Sequence, residues 1–393
     1  MHKQFLTCGC FAPIFFLWIF GVSQVEGKGS VDNVFARIQA HDFHPLNEER
    51  TFTHDQVLER PGIANLENID WKVHLLAVRD LVQIGTEHPE AVLRGLKHAH
   101  PHVRYVSAMT VGILGLEDAT DALKTIAAKD PFTVVRSQAV IALGQLESVP
   151  SLSFLKKLME SDGSRDLRHQ CELAIDQIEK RMGSTEKQVL AFRDLDESQF
   201  ELVEVGRLAP DFEISNTEGG TWRLGDYLGK KWVVLIWVFA DWCPVCHGEF
   251  RDLIEMQDVF VNAGVEVVTL ECHDLYRGRV MVGKELDPEY WFSERSFQKT
   301  YTEKIWWPHL LDRAGAVGAL YGVDPLAFAV HAEYINRPST IIIDPEGVVQ
   351  FAYYGTYWGD RPTVKQTLDM IETNQFEFEH SERLTLSTGR SAE

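Results

Sequence analysis

The chain has 393 residues, of which 45% are hydrophobic, and a formal net charge of -20 at pH 7. This length and composition suffice for two or three domains with proper cores and are not typical of a disordered chain. Binding to nucleic-acid phosphates needs clustered Lys and Arg, and this acidic sequence has no such cluster, so a nucleic-acid partner is not expected.

The first segment has the features of an export signal. His2 and Lys3 precede an apolar stretch at 11–22 that is short for a membrane span. We therefore expect residues 1–27 to be a signal peptide or N-terminal anchor, followed by a further segment at 28–65. The mature protein would then be secreted or periplasmic, and it would touch a membrane only through this segment if it stays uncleaved. Cysteines in such an oxidising space can rest as disulfides.

Residues 66–182 repeat themselves at a period of 32. Residues of the same type recur at this spacing: Arg104, Arg136 and Arg168; Gly112 and Gly144. Each unit carries two amphipathic helical patterns and cannot bury its apolar face alone, so the units are expected to stack into an all-α solenoid. The stretch resembles short HEAT-like repeats. Cys171 falls on a small repeat position that we expect to be buried.

Three histidines, His98, His100 and His102, lie between two of these helical patterns. A metal site is one interpretation, but H-x-H-x-H in a loop lacks the further ligands that zinc needs. We expect a solvated turn here.

The rest of the chain predicts an α/β domain. The expected divisions are a polar linker at 183–206, the α/β domain at 207–378 and a polar tail at 379–393. Strand-like apolar runs at 232–239, 265–270 and 340–343 alternate with helical patterns, and a turn and hairpin follow the last one. An aromatic-rich insertion at 274–308 is expected either to form a recognition surface or to pack inward as a flap.

Two cysteines, Cys243 and Cys246, stand at a strand-to-helix junction in the sequence C-P-V-C. A helix that begins at the first cysteine directs its unpaired amides and positive dipole end at that sulfur, which stabilises thiolate over thiol. Pro244 suits the first helical turn because it has no N–H to leave unpaired. The pattern predicts a dithiol redox site.

Three motifs in order carry a family resemblance: L-A-P-D-F at 208–212, W-C-x-x-C-x-x-E-F at 242–250, and R-P-S-T-I-I-I-D-P-E-G at 337–347. Over residues 207–375 the chain resembles AhpC/TSA-type redoxins and TlpA-like thioredoxins. The resemblance implies a thioredoxin-like fold and thiol-disulfide chemistry.

The resemblance also implies residue roles. Cys243 would be the exposed nucleophile and Cys246 the resolving thiol, and Pro338 would be a cis-proline whose neighbouring backbone pairs with the substrate chain. Arg337-Pro338 is also the natural place for a cis bond because cis peptides outside X-Pro are rare. Glu249 would manage the proton of the resolving thiol, or would simply be an acid favoured in a first helical turn. The remaining residues implied in substrate binding are Trp242, Pro244, Arg337 and Ser339.

Several features leave alternatives open. Counting back from Cys246, Phe239 and Cys243 stand where peroxiredoxins carry a Pro and a Thr or Ser before their reactive cysteine. C-x-x-C-H, ending at His247, is also the attachment motif of c-type haem. Cys272-His273 follows a strand on the same edge and would resolve a disulfide or join a soft-metal site. With Glu271, and with Tyr354-Gly355-Thr356 and Arg361-Pro362 near the end of the domain, this pair gives a weaker likeness to iodothyronine deiodinases.

From these features we expect an exported thiol-disulfide oxidoreductase that uses the W-C-P-V-C dithiol, without metal or cofactor. The repeats would act as a docking platform for a protein disulfide substrate or redox partner, and the two domains would be rigid bodies on a linker. One alternative is a redoxin-family reductase of a small molecule, a peroxide or haloarene, with antioxidant or deiodinase-like activity. The other is a metal-binding or assembly protein built on a thioredoxin scaffold.

Overall fold

The computed structural model describes residues 30–41, 70–183, 185–285, 304–355 and 359–378. The expected signal segment, residues 28–29 and 42–65 of the segment that follows it, and the polar tail lie outside these ranges. Within the described ranges, every helix is too short or too polar to cross a membrane.

The N-terminal part is an array of paired helices. Its helices are α1 Val31–Ala40, α2 Trp71–Glu87, α3 Pro89–Gly95, α4 Pro101–Leu114, α5 Thr120–Lys129, α6 Thr133–Gln145, α7 Leu152–Ser161 and α8 Arg165–Lys180. The first helices of successive pairs, α4, α6 and α8, stack on one another. They contact each other more extensively than the second helices, α5 and α7, do. This stacking buries a continuous apolar core and confirms the predicted solenoid.

The repeated residues explain why the units fit together. Arg104 donates from Nε to Oδ2 of Asp130, just after α5, over 2.6 Å. Arg136 forms the equivalent ion pair with Asp162, just after α7. Gly144 matters for a different reason, because a Cβ there would lie 3.1 Å from the Cα of Ala174. A larger residue would push α6 and α8 apart. The 32-residue period therefore reflects two contacts between helices, the Arg–Asp ion pair and the close approach at Gly144.

The C-terminal part is a mixed α/β domain. Its strands are β1 Glu213–Ser215, β2 Thr221–Arg223, β3 Trp232–Trp237, β4 Val265–Glu271, β5 His309–Leu311, β6 Phe328–Val330, β7 Glu333–Ile335, β8 Ser339–Ile343 and β9 Val349–Tyr354. The main sheet has the order β5-β4-β3-β8-β9, in which β3, β4 and β5 are parallel and β8 and β9 are antiparallel to their neighbours. The strands β1 and β2, and β6 and β7, form two small separate hairpins.

Helices cover both faces of this sheet. They are α10 Pro244–Glu255, α11 Gln257–Asn262, α12 Leu275–Met281, α13 Ala316–Leu320 and α14 Val364–Thr373. Alternate residues of β3 point to opposite faces: Ile236 packs in the core under α10 and α14, and Trp237 packs in the core that contains α13. A short loop, residues 238–243, joins the central strand β3 to the N-terminus of α10, so the dithiol lies at a strand-to-helix junction as the sequence predicts.

The segment expected to be a polar linker is packed. It contains the helix α9, Glu186–Arg193, followed by Leu195, and both Phe192 and Leu195 are buried in the solenoid core. Gln83 Nε2 donates to the carbonyl of Arg193 over 2.9 Å. Although this segment is polar overall, its buried apolar residues attach it to the end of the solenoid.

The two parts of the chain are also joined directly, which corrects the expectation of two bodies on a linker. Tyr334, at the middle of β7, is buried in the solenoid core, where its ring lies 4.8 Å from that of His74 and 5.0 Å from that of Tyr105. Its hydroxyl is 2.9 Å from Nε2 of His102. The expectation of a solvated histidine turn is thus wrong for His102, because burial beside Tyr334 takes it out of solvent.

The aromatic insertion is described only at its two ends. The hydroxyl of Tyr276 on α12 donates to Asp176 of the solenoid over 3.0 Å, and the indole of Trp307 donates to Thr269 Oγ1 over 3.0 Å. Both aromatic side chains are buried. These ends pack inward, as one of the two interpretations predicts, while residues 286–303 lie outside the described residues.

Candidate functional site

The dithiol lies at the N-terminus of α10, where the sequence placed it. Cys243 is the N-cap, and the amide of Cys246 points at its sulfur over 3.5 Å. The backbone N–H of Phe239 donates to the sulfur of Cys246 over 3.3 Å. Both cysteines are free thiols in this structure. The N-terminus of α10 therefore directs an N–H group at the sulfur of Cys243, and the loop after β3 directs one at the sulfur of Cys246.

A buried arginine completes the surroundings of Cys246. Nη2 of Arg361 lies 3.2 Å from the sulfur of Cys246, while its Nε donates to Oε1 of Glu249 over 2.7 Å. Arg361 is fully buried, and Glu249 is nearly so. Glu249, for which a role with the thiol proton was one of two expectations, holds the guanidinium in place, so its link to Cys246 is through Arg361. The sequence marks Arg361 only within the weaker likeness to deiodinases and not as a residue of the dithiol site.

These contacts distinguish the two thiols electrostatically. Burial raises the pKa of Cys243 well above its ordinary value. Burial also acts to raise the pKa of Cys246, but the hydrogen bond from the Cys243 thiol and the charge of Arg361 lower it to about 6. Negative charge is therefore more stable on Cys246 than on Cys243.

Neither thiol is exposed, which corrects the expectation of an exposed Cys243. The hairpin formed by β6 and β7 packs on residues that flank the dithiol, and its Phe328 and Ile335 share a buried core with both cysteines; we call residues 328–335 the cover hairpin. The ring of Phe328 packs 5.7 Å from that of Phe239, and the ring of His331 packs 4.5 Å from that of Trp242. Cys243 and Cys246 have 0% of their surface exposed. Pro244, at the start of α10, is partly exposed.

A buried ion-pair network ties the cover hairpin to the loop before the dithiol. Arg277 of α12 donates from Nε to Asp241 Oδ2 over 2.9 Å, and its Nη2 lies 3.1 Å from Oε2 of Glu333 on the hairpin. The indole of Trp242 also donates to Glu333. Arg277, Asp241 and Glu333 are all buried. One cation thus holds the dithiol loop, α12 and the hairpin together.

The turn of the cover hairpin is strained. His331 and Ala332, its two central residues, have φ values of 49° and 61°, a left-handed conformation that Gly or Asn adopts more easily. Each such residue costs about 1–2 kcal/mol. His331 Nδ1 lies 3.2 Å from Asp166 of α8, so the same side chain contacts both the solenoid and Trp242.

The expected cis-proline is not present. The described residues contain no cis peptide bond, so Arg337-Pro338 is trans. The carbonyl of Pro338 already accepts the N–H of Gly355 over 2.8 Å, and Arg337 is fixed by Asp324 through its Nε over 2.9 Å. Arg337 and Ser339 are buried as well. The Pro338 carbonyl and the Arg337 side chain are thus paired within the protein and are not presented to a substrate chain.

The histidines considered for haem or metal each lie beside another polar group of the protein. His247 is buried, with its Nε2 2.6 Å from the carbonyl of Asp241. His273 lies with Nδ1 3.7 Å from the buried carboxylate of Glu271, whose other neighbour is His309 at 3.9 Å. Among the described residues, no three His, Cys, Asp or Glu side chains are arranged to hold a metal ion. Cys171 is buried, as expected, and burial raises its pKa to about 12.

Comparison with known proteins agrees with this division of the chain. Residues 205–352 match the AhpC/TSA family, and residues 63–144 match HEAT repeats.

The chain is similar to individual redox proteins over its C-terminal part. It is 33% identical over 171 residues to the thiol-disulfide oxidoreductase ResA of Geobacillus thermodenitrificans, covering 43% of this chain and 79% of that relative. It is also 33% identical over 153 residues to the selenocysteine-containing peroxiredoxin PrxU of Peptoclostridium acidaminophilum. That match covers 38% of this chain and 66% of the relative, slightly under two thirds of its length. The solved reduced 2-Cys peroxiredoxin of Plasmodium vivax has 22% identity and a TM-score of 0.35, covering 44% of this chain and 82% of that one.

The first testable consequence concerns the thiolate. Ultraviolet absorbance of the reduced protein against pH should show one thiolate forming with a midpoint near pH 6, the value to which the pKa of Cys246 is lowered. Arg361→Gln removes the cation and should move the midpoint up towards the ordinary thiol value of about 8.5. Arg361→Lys keeps the charge and should shift the midpoint less. If the transition survives in Cys246→Ser but disappears in Cys243→Ser, the assignment of charge is wrong.

The second consequence concerns the cover hairpin. Glu333→Gln removes a buried carboxylate from Arg277 and should favour opening, because hydrogen bonds to charged groups contribute about 1.5–3 kcal/mol. The alkylation rate of the dithiol, followed by mass spectrometry, should rise about tenfold or more, since 1.4 kcal/mol is tenfold in an equilibrium. The matched control is Glu285→Gln, which breaks a salt bridge to Lys180 elsewhere between the two domains. Equal alkylation rates in both variants would show that Glu333 does not hold the cover.

Proposed function

We propose that this chain, which belongs to the AhpC/TSA family, is an exported thiol-disulfide oxidoreductase whose Cys243 and Cys246 exchange electrons with a protein disulfide. The observation that supports this most directly is the environment of Cys246. Its sulfur accepts the Phe239 N–H and lies 3.2 Å from the Arg361 guanidinium, with a second thiol on the same helical turn. A stabilised thiolate beside a thiol is the arrangement that disulfide exchange requires.

The proposed reaction proceeds in two exchange steps. The Cys246 thiolate attacks one sulfur of the substrate disulfide, forming a mixed disulfide and releasing the other substrate sulfur as a thiolate that takes up a proton. Cys243 then loses its proton and attacks Cys246, which releases the second substrate thiol and leaves a Cys243–Cys246 disulfide. The substrate gains two electrons, and a dithiol partner must return two electrons to the protein. Run in reverse, the same steps oxidise a dithiol.

The cover hairpin supports a protein as the substrate or partner. A disulfide cannot reach a fully buried sulfur, so the hairpin must move before the first step. The hairpin is attached to the solenoid through Tyr334 and through the contact of His331 with Asp166. A protein bound on the repeats is therefore well placed to displace the hairpin. In this proposal the repeats both dock the partner and control access to the dithiol.

A second candidate function is reduction of a peroxide. The specific observation in its favour is the contact between Arg361 and Cys246, because a cation beside a thiolate also suits attack on a small electrophile that needs little opening. In that reaction Cys246 takes one peroxide oxygen to become a sulfenic acid, and the other oxygen leaves as an alcohol or water. Cys243 then displaces water to form the same disulfide.

Export is a separate part of the proposal and rests on the apolar stretch at 11–22. In a secreting bacterial host, the protein recovered from the periplasm or medium should begin between about residues 21 and 30, as intact mass and N-terminal peptides will show. A retained N-terminus on membrane-bound protein indicates an anchor. Full-length protein confined to the cytosol contradicts export.

The function is tested by trapping the intermediate. Reduced Cys243→Ser should accumulate a mixed disulfide with reduced-and-reoxidised insulin or another disulfide protein, because Cys246 can attack but no thiol resolves the product. Cys246→Ser should trap nothing, and wild type should turn over with a reduction potential in the roughly -270 to -120 mV span of dithiol carriers. Cys272→Ser serves as the matched control and should behave as wild type.

Each other outcome has a distinct meaning. Trapping by Cys246→Ser alone would make Cys243 the attacking thiol. Peroxide consumption that depends on Cys246, without reduction of protein disulfides, would favour the second candidate. If the pair forms no disulfide under oxidising conditions, both redox functions are wrong.

A further inference from the structure

A cavity of about 70 Å³ lies between the solenoid and the C-terminal domain, apart from the dithiol. Its solenoid wall includes Gln138 and Gln170, which stand one repeat apart on α6 and α8. Its other wall includes His273, Arg277 and Glu333. Space of this size holds about five water molecules or a small organic molecule.

Gln170 is the residue that points most strongly to a ligand, and the buried Oε1 of Gln145 in the same wall also has no hydrogen-bond partner among the described residues. It is 1% exposed, and neither Oε1 nor Nε2 of its side chain has a hydrogen-bond partner within the described part of the chain. A buried amide that lacks partners costs about 1–3 kcal/mol for each unmet group. Because Gln170 lines the cavity, a molecule there that offers both a donor and an acceptor would satisfy the amide.

Arg277, Glu333 and Asp274 in the wall already have partners, and Nδ1 of His273 lies 3.7 Å from the buried carboxylate of Glu271, which restricts the chemistry of that molecule. Arg277 is paired with Asp241 and Glu333. The carboxylate of Asp274 accepts the backbone N–H of Arg277 over 3.1 Å and the Gln177 amide over 3.4 Å. A charged ligand would have to leave water without gaining a free counter-charge, which is unfavourable.

The rest of the lining is largely apolar. The side chains that supply it are Leu75, Met109, Ile113, Ile141, Leu173 and Phe192. A ligand with a short hydrocarbon portion would bury it against them, which contributes roughly 25 cal/mol per Å² of apolar surface.

We propose that this interdomain cavity is a binding site for a small uncharged molecule that carries an amide-like donor–acceptor group and a short apolar chain, with Gln170 as its recognition residue. The wall includes Glu333 and Tyr334, so the site lies against the cover hairpin. It is distinct from the dithiol, since neither Cys243 nor Cys246 lines it.

The test uses butyramide as the probe and isoleucine methyl NMR on the full chain as the readout. Ile113 and Ile141 line the cavity, and Ile236 lies in the central sheet outside it. Butyramide should shift the Ile113 and Ile141 resonances in a saturable manner and leave Ile236 unchanged. 2-Pentanone, which has a similar shape but no donor, should bind about tenfold more weakly, and the charged analogue butyrate should not bind.

The matched variants are Gln170→Leu and Gln83→Leu. Gln170→Leu should weaken butyramide binding about tenfold and remove its advantage over 2-pentanone. Gln83, whose amide is bonded to Arg193, lies outside the cavity, and its variant should bind as wild type. If Gln170→Leu fails to fold by circular dichroism, the comparison of the three probes on wild type decides. Absence of saturable shifts with butyramide, equal affinity for butyrate, or undiminished binding to folded Gln170→Leu overturns the proposal.

Discussion

The arrangement of the site depends on Arg277, a buried cation that lies between the carboxylates of Asp241 and Glu333. Such a network need not stabilise the fold relative to apolar residues, but removing one partner leaves an uncompensated buried charge that costs about 3–5 kcal/mol. Asp241 belongs to the loop that leads into the dithiol, and Glu333 belongs to the cover hairpin. The ion pairs therefore make the position of the cover depend on the position of the dithiol loop, although the two are separated widely in sequence.

Burial gives the dithiol its chemistry as well as its protection. Desolvation acts against a thiolate on either sulfur, so the charge settles where specific partners offset that cost. Only Cys246 has both the Phe239 N–H and the Arg361 guanidinium beside it, and Glu249 fixes the orientation of that guanidinium. In a site of low dielectric these interactions are stronger than they would be in water. A reactive thiolate can thus exist at neutral pH while the hairpin keeps other electrophiles away from it.

Local patterns in the sequence predict the helices and strands well. They do not show contacts between residues that are far apart in the chain. The 32-residue spacing of Arg104 and Arg136 predicted the solenoid because each arginine bonds an aspartate in the same helical repeat array. The C-x-x-C between a strand and a helix likewise marked the dithiol. Nothing local marks Arg361 as a partner of Cys246, which lies 115 positions earlier. The sequence predicts a turn at His102 because no local pattern shows its contact with Tyr334, which is 232 positions away.

The strained turn of the cover hairpin lies in contact with the solenoid through His331 and Asp166. His331 and Ala332 keep a left-handed conformation that is unfavourable for their side chains, and His331 keeps it while it contacts both Trp242 and Asp166. If a partner displaces the contact with Asp166, the strain released on opening offsets part of the packing lost at Trp242. In the proposed mechanism, a strained hairpin therefore needs less binding energy to open than a relaxed one would, which would let the solenoid influence access to the dithiol.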